Sequence, residues 1–433
     1  MMTRGGWVEF PCQRMTWHYA RMQRSVFRAF DPLDRLREAA AAREAAGLRR
    51  RLVPRSPGDR GLDLASNDYL GLSGEPRLAE AAAAAARTWG TGATGSRLVT
   101  GTTELHAELE EELADFTGAP AALVFSSGYL ANLAVVTALG AALASAALGG
   151  GLLIVSDERN HASLIDACRL ARGPGVRLQV TPHRDTAAVA TALECREEAA
   201  ALVVTDAVFS VTGELAPLAA LHAIARSHGA LLVVDEAHSF GVLGDGGLGA
   251  AHDAGIAAEP AVVRTITLSK SLAGQGGAVL AAREVTQTLV DTGRSFIFDT
   301  GLAPPAAAAA LAALGLLRAD PLLPGRARRA ASRLAGAAAE LGLVATAPDA
   351  AVTAVVLGDP LDALEAQRAC AARGVQVGCF RPPSVPAGQA CLRLTGRATL
   401  TENDFSLASR ALAVVREHCH HGRNTPQPGR TTT

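Results

Sequence analysis

Three short, continuously apolar runs, at residues 121–125, 152–155 and 231–234, and a β-rich run, Val262-Val263-Arg264-Thr265-Ile266-Thr267, together four candidate strands, most narrow the folds open to this chain. Three of them end in small or polar residues: Ser126-Ser127-Gly128, Asp235-Glu236-Ala237-His238 and Leu268-Ser269-Lys270. Apolar runs without polar alternation are what strands buried on both faces look like, and such strands belong to parallel sheets covered by helices. Helix-like segments lie at 81–89, after Thr103-Glu104-Leu105-His106, and at 306–317. The expected architecture is α/β, with sites at the C-terminal ends of the strands. A length of 433 residues exceeds one average domain, so a large domain with a smaller one is expected.

The composition excludes several classes of function. A formal net charge of −1 provides no broad field for nucleic acid or an anionic membrane, so an anionic ligand must be met by local arginines or helix N-termini. Seven cysteines without a CxxC pair argue against a disulfide framework or a zinc ribbon, and for a cytoplasmic protein. His418-Cys419-His420-His421 is the one metal-like cluster, but adjacent ligands on one short peptide rarely converge on one ion, so no metal is expected. The uncharged stretch 123–156 has membrane-like length, yet Ala, Ser and Gly dominate it and Gly149-Gly150-Gly151 breaks it. It reads as a buried helix followed by a central strand. Residues 1–30 have no apolar core of secretory length and no small-residue cleavage site, and read either as an extension or as a start assigned too early, with Met15 or Met22 as alternatives.

Of 41 basic side chains one is lysine, Lys270, and the rest are arginine. Arginine replaces lysine at nearly any solvated position, but its guanidinium cannot form an imine with an aldehyde, whereas a primary amine can. Chance survival of one lysine is the plain alternative. Its place after the β-rich run 262–267, with Thr267 three residues earlier and able to reach a phosphate, favours amine chemistry. The run 231–234 ends in Asp-Glu-Ala-His, the metal box of a helicase-type ATPase, but the chain has no Gly-Lys-Ser/Thr loop to accompany it. The same strand end suits pyridoxal phosphate (PLP): a carboxylate at Asp235 would keep the pyridine nitrogen protonated, with His238 near the phenolic oxygen. Gly90-Thr91-Gly92-Ala93-Thr94-Gly95 spells a dinucleotide fingerprint but follows a helix-like segment where a strand is required. Gly128-Tyr129, before Leu130-Ala131-Asn132, could offer helix-start amides to a phosphate and an aromatic to a flat ring.

From about Arg49 to Leu400 the chain resembles the α-oxoamine synthases, PLP enzymes of the aspartate-aminotransferase-like fold (fold type I), and within them the oxononanoate synthases. The carriers are Ala65-Ser66-Asn67-Asp68-Tyr69-Leu70-Gly71, Gly95-Ser96-Arg97-Leu98-Val99-Thr100-Gly101, Asn160-His161-Ala162-Ser163, Val208-Phe209-Ser210, Val234-Asp235-Glu236-Ala237-His238 and Arg381-Pro382-Pro383-Ser384-Val385-Pro386. The resemblance implies that Lys270 carries the cofactor as a Schiff base. It also implies that His161 stacks on the ring, that Asp235 partners the ring nitrogen, and that Ser210 and His238 bond the phenolic oxygen. Gly128, Tyr129 and Thr267 would hold ring and phosphate, and Thr300 would serve the neighbouring subunit of a homodimer. Arg393 would take the amino-acid carboxylate, with Arg49, Asn67, Arg381 and Ser384 at other substrate positions; a surface arginine on a strand is the plain alternative for Arg393.

The family reaction so implied is decarboxylative condensation of L-alanine with a pimeloyl thioester, on coenzyme A or acyl-carrier protein. Its products are 8-amino-7-oxononanoate, carbon dioxide and free thiol, in biotin biosynthesis. Rival readings are a relative using glycine or serine, and a non-catalytic PLP-fold binding module. The expected organisation is an N-terminal extension and arm at 1–60, a large PLP-binding domain of mainly parallel sheet at 61–301, a small α+β domain at 302–421 and a disordered tail at 422–433. Asp206 and Thr212 depart from the family's usual Glu and Asp, and Ser271-Leu272-Ala273 follows the lysine where an aromatic-Gly pair is usual.

Overall fold

A computed structural model describes residues 31–58, 61–145 and 149–424, without the side chains of 418–424. The extension before residue 31, the end of the tail and the side chains of the His418–His421 cluster lie outside the described residues. The chain falls into two units, up to Pro54 and from Arg55 onward. In the first, helix α1 (Pro32–Ala45) is capped by Asp31, whose carboxylate accepts from Leu33 N.

In the second unit the strands are β1 (Leu62–Asp63), β2 (Ala121–Phe125), β3 (Leu152–Asp157), β4 (Val176–Thr181), β5 (Ala200–Asp206), β6 (Leu231–Asp235), β7 (Val262–Thr267), β8 (Gly277–Ala281), β9 (Val352–Gly358), β10 (Val375–Gln376), β11 (Gly378–Phe380) and β12 (Ala390–Thr395). Among its longer helices are α2 (Pro76–Trp89), α3 (Glu104–Thr117), α4 (Gly128–Leu143), α5 (Ala162–Leu170), α6 (Thr186–Glu194), α7 (Leu218–Ser227), α8 (Arg283–Thr292) and α9 (Pro304–Ala319). The seven-stranded sheet runs β2-β8-β7-β6-β5-β3-β4, and β8 alone is antiparallel to its neighbours. Alternation along each strand feeds two cores. Leu153, Val155, Ala201, Val203, Leu232 and Val234 pack with α6 and α7, while Leu152, Ile154, Leu202, Val204, Val233 and Val263 pack with α4, α5 and α8. Both faces are dry, which is why these strands lack the polar alternation of a half-exposed sheet. Each fully buried Leu, Ile or Val contributes about 1.5–3 kcal/mol of transfer free energy.

A second sheet, β11-β12-β9, is antiparallel, and a short parallel pair joins β1 to β10. That pairing, with Thr395 N donating to Leu64 O at 2.9 Å, carries the segment after β1 against the C-terminal part of the chain. It is the step that brings Asn67 and Tyr69 to Arg393. The 123–156 stretch forms α4, then β3, with Gly149, Gly150 and Gly151 all at positive φ between them, as expected. Among the described residues no single helix is long and apolar enough to cross a membrane.

Candidate active site

Register decides which strand-end side chains meet. Asp206 of β5 stands opposite Asp235 of β6, and Asp235 opposite Thr265 of β7. By period two, these residues share the face of Leu202, Val233 and Val263, the face covered by α4 and α5. Asn132, on the first turn of α4, spans the group: its Nδ2 donates to Asp235 Oδ2 at 2.7 Å and to Ser163 Oγ at 2.8 Å, and its Oδ1 accepts from Thr265 Oγ1 at 2.6 Å. Asp235 Oδ1 accepts from Ala237 N at 2.8 Å. The carboxylate is thus held by a backbone amide and a side-chain amide, with no cation bonded to it.

The N-terminus of α4 abuts the end of β7. A Cβ added to Gly128 would lie 3.2 Å from Thr267 Cβ, a tight contact, so the helix start and the Thr267 side chain pack closely here. Thr267 Oγ1 is 2.7 Å from Ser269 Oγ, and Ser127 caps the helix by accepting from Leu130 N. The Thr267 hydroxyl beside the helix start, with Ser269 bonded to it, makes a place suited to an anion. Tyr129 is 42% exposed and its hydroxyl donates to Asp166 Oδ2 at 2.6 Å.

Lys270 leaves the turn after β7, and its amine is hydrogen-bonded to His238 Nε2 at 2.7 Å. His238 Nδ1 lies 2.5 Å from the hydroxyl of Tyr69, and that hydroxyl also accepts from Arg393 Nη2 at 3.3 Å. Arg393 Nη2 donates to Asn67 Oδ1 at 2.7 Å. One relay therefore joins Lys270, His238, Tyr69, Arg393 and Asn67. Burial, together with the positive charges of Lys270 and Arg393, holds His238 well below the ordinary histidine value, so it is neutral and its Nε2 can accept from the amine. Burial also pushes the Lys270 amine down to about 8, against the opposing pull of Asp235. Because Lys270 is the chain's single lysine, an amine reagent reports it directly once peptides are mapped to set the α-amino group aside. Labelling of apoprotein at Lys270 is expected to rise with a midpoint near pH 8; a midpoint near 10.5 would contradict this environment.

Arg393 is 4% exposed. Its partners are the neutral oxygens of Asn67 and Tyr69, its Nε has none, and the Phe380 ring lies 5.6 Å from its guanidinium carbon. A buried guanidinium held by neutral groups has the charge and geometry suited to a carboxylate. The surface-arginine alternative is thereby excluded.

His161 caps α5. Its ring Nδ1 bonds Ser163 Oγ at 2.7 Å, and its backbone N donates to Asp206 Oδ2 at 3.0 Å. Desolvation lowers it, with Asp235 acting the other way, and its ring borders solvent. Ser210 is half-buried in the turn between Val208 and Leu215, whose backbones bridge. Ser384 N donates to Arg381 O at 3.0 Å, so both lie in one turn directly after Phe380. Thr300 is exposed, next to Asp299, which accepts from Ser126 Oγ. Arg49 belongs to the N-terminal unit, where it pairs with Glu44 at 2.8 Å. Sequence reasoning assigned no role to Tyr69, Asn132, Ser163 or Asp206. Tyr69 stands inside a motif already singled out, but nothing local signals its contact with His238 across 169 positions.

The sequence profile of the aminotransferase class I and II family matches residues 59–412. An 8-amino-7-oxononanoate synthase from Mycolicibacterium vanbaalenii is 54% identical over 387 residues, covering 89% of this chain and 98% of its own. The chain belongs to the aminotransferase class I and II family, among the 8-amino-7-oxononanoate synthases. A second family member, from a Mycobacterium species, is 55% identical over 384 residues, 89% of this chain and 97% of its own. Among solved structures, a serine palmitoyltransferase from S. paucimobilis superposes with a TM-score of 0.81 at 27% identity, covering 90% of this chain and all of that one. An 8-amino-7-oxononanoate synthase from Francisella tularensis gives 0.68 at 26%, covering 84% and 99%. The fold is thus that of the PLP-dependent fold-type-I enzymes, as expected, and within the family it is shared across acyl acceptors. Choice of substrate rests on side chains, not on the backbone.

Proposed function

We propose that this protein joins L-alanine to a pimeloyl thioester, releasing carbon dioxide and free thiol and forming 8-amino-7-oxononanoate for biotin synthesis in the cytoplasm. The observation that carries the reading is Arg393, buried beside neutral partners and linked through Tyr69 and His238 to the one lysine. In balance, a bond forms between the alanine Cα and the thioester carbonyl carbon, the C–S bond breaks to the thiol, and the bond from Cα to the carboxylate breaks to give carbon dioxide.

The residues fit PLP. The Asp235 carboxylate, bonded to two amide N–H groups and to no cation, suits a protonated ring nitrogen. Gly128, Tyr129 and Thr267 would hold the phosphate, with Thr300 of a second subunit; Ser210 and His238 would hold the phenolic oxygen, and His161 would lie on the ring. Bound there through Lys270, PLP supplies an electron sink for charge developing at the amino-acid Cα. Arg393 binds the amino-acid carboxylate, and Asn67 and Tyr69 fix the guanidinium plane. Lys270, with its amine near neutrality, takes and returns the Cα proton, and His238 keeps that amine oriented without adding charge. Arg381 and Ser384, in the turn beyond Phe380, serve the acyl partner. The enzyme acts as a homodimer on this reading, in which exposed Leu98, Val99 and Phe298 would be buried against a second copy.

The test is product mass from purified enzyme with PLP, pimeloyl-coenzyme A or pimeloyl-acyl-carrier protein, and L-alanine, glycine or L-serine in turn. Alanine is expected to yield 8-amino-7-oxononanoate with loss of carbon dioxide. Turnover of glycine or serine with alanine inert would move the protein to another branch of the family.

A further inference from the structure

We propose that Asp206 is a positioning residue for His161 that works as a neutral acid, holding its proton through the working pH range and leaving Asp235 as the site's anion. Asp206 ends β5 with 2% of its surface exposed, directly opposite Asp235 in the sheet. Its Oδ2 accepts from His161 N, its own backbone N donates to Asn160 Oδ1 at 2.9 Å, and its Oδ1 is buried with no partner.

The charged groups acting on it are Asp235 from β6, Asp157 from β3 and Lys270 from the turn after β7. Three carboxylates, Asp206 among them, around one amine cannot all be balanced as ions. Asp235 is held at both oxygens by amide donors, whereas Asp206 has a single donor and one orphan oxygen. An ionised carboxylate with an orphan buried oxygen is far costlier than a neutral acid in the same place. Burial raises Asp206 well above the ordinary carboxylate range, and the neighbouring Asp235 adds to this against the opposing effect of Lys270. What remains useful to the site is an acceptor oxygen that fixes the backbone at His161, and so the entry of the ring that caps α5. A second ionised carboxylate would instead pull on Lys270 and raise its amine.

The inference takes His161 as a working site residue, as proposed above, but its first test needs no turnover. Apoprotein stability is compared for wild type and Asp206→Asn across pH. An acid whose folded value is raised loses stability as pH climbs above its unfolded value, so wild type should fall behind as pH rises from about 4. The two melting curves are expected to coincide near pH 4 and to separate by about 2 °C or more by pH 8, with the variant higher. A variant that is less stable at pH 8, or a difference that does not change with pH, overturns the proposal. In holoenzyme, Asp206→Ala should lose about tenfold or more in kcat/KM, and Asp206→Asn, which keeps the acceptor for His161 N, should restore most of it. An Asn variant as poor as the Ala variant, or an Ala variant as good as wild type, also overturns it. If the stability result holds while no variant, wild type included, makes product, the fault lies with the proposed reaction and not with Asp206.

Discussion

Lys270→Arg is expected to lower turnover by about four orders of magnitude or more, to the background rate, while the protein still folds. The substitution keeps a positive charge of similar reach beside His238, so a purely electrostatic role for Lys270 would survive it. The guanidinium stays protonated at every accessible pH, however, and can neither join an aldehyde nor take a Cα proton. Lys270 is half-buried in the turn that follows β7, and a turn can shift to fit the larger head group. Melting temperature and retained PLP, measured beside activity, separate loss of chemistry from loss of fold. Activity within about tenfold of wild type would remove Lys270 from the mechanism.

Arg393→Lys should raise KM for the amino acid by about 100-fold, with a smaller fall in kcat, because a charge-assisted bidentate pair contributes about 1.5–3 kcal/mol and an ammonium cannot reproduce its geometry. The kcat effect follows from the same side chain's second task. Arg393 Nη2 holds Asn67 and Tyr69, and Tyr69 is the partner of His238 at the lysine. KM for the acyl thioester is expected to move little. An equal rise in both KM values would place Arg393 outside the carboxylate site.

The strands and their ends were readable from sequence because burial on both faces writes itself as uninterrupted apolar runs, as at residues 152–155 and 231–234, and because β-branched residues crowd Val262–Thr267. Lys270 was readable because its amine chemistry has no arginine substitute in a chain that otherwise uses arginine. The phosphate-like glycine run follows a helix, α2, and not a strand; Gly95 O accepts from Gly301 N at 2.9 Å while a Cβ on Gly101 would fall 2.2 Å from the same oxygen. Those two glycines serve close backbone approach. Tyr69 escaped because its role depends on β1 pairing with β10, more than 300 positions away, and no local pattern encodes that pairing. Asn132 escaped for a related reason, since on the first turn of a helix it looks like any polar residue until the sheet brings Asp235 and Thr265 beneath it. Asp206 was noted as a departure from the family pattern, but its unpaired oxygen is visible only in three dimensions.

The most direct test of the central claim is borohydride reduction of the enzyme loaded with PLP, followed by digestion and mass mapping. The expected result is the reduced cofactor's added mass on the peptide containing Lys270 at near one equivalent per chain, lost when alanine and pimeloyl thioester are supplied before reduction under turnover. Added mass confined to the N-terminal amine, or none at all, would contradict the account.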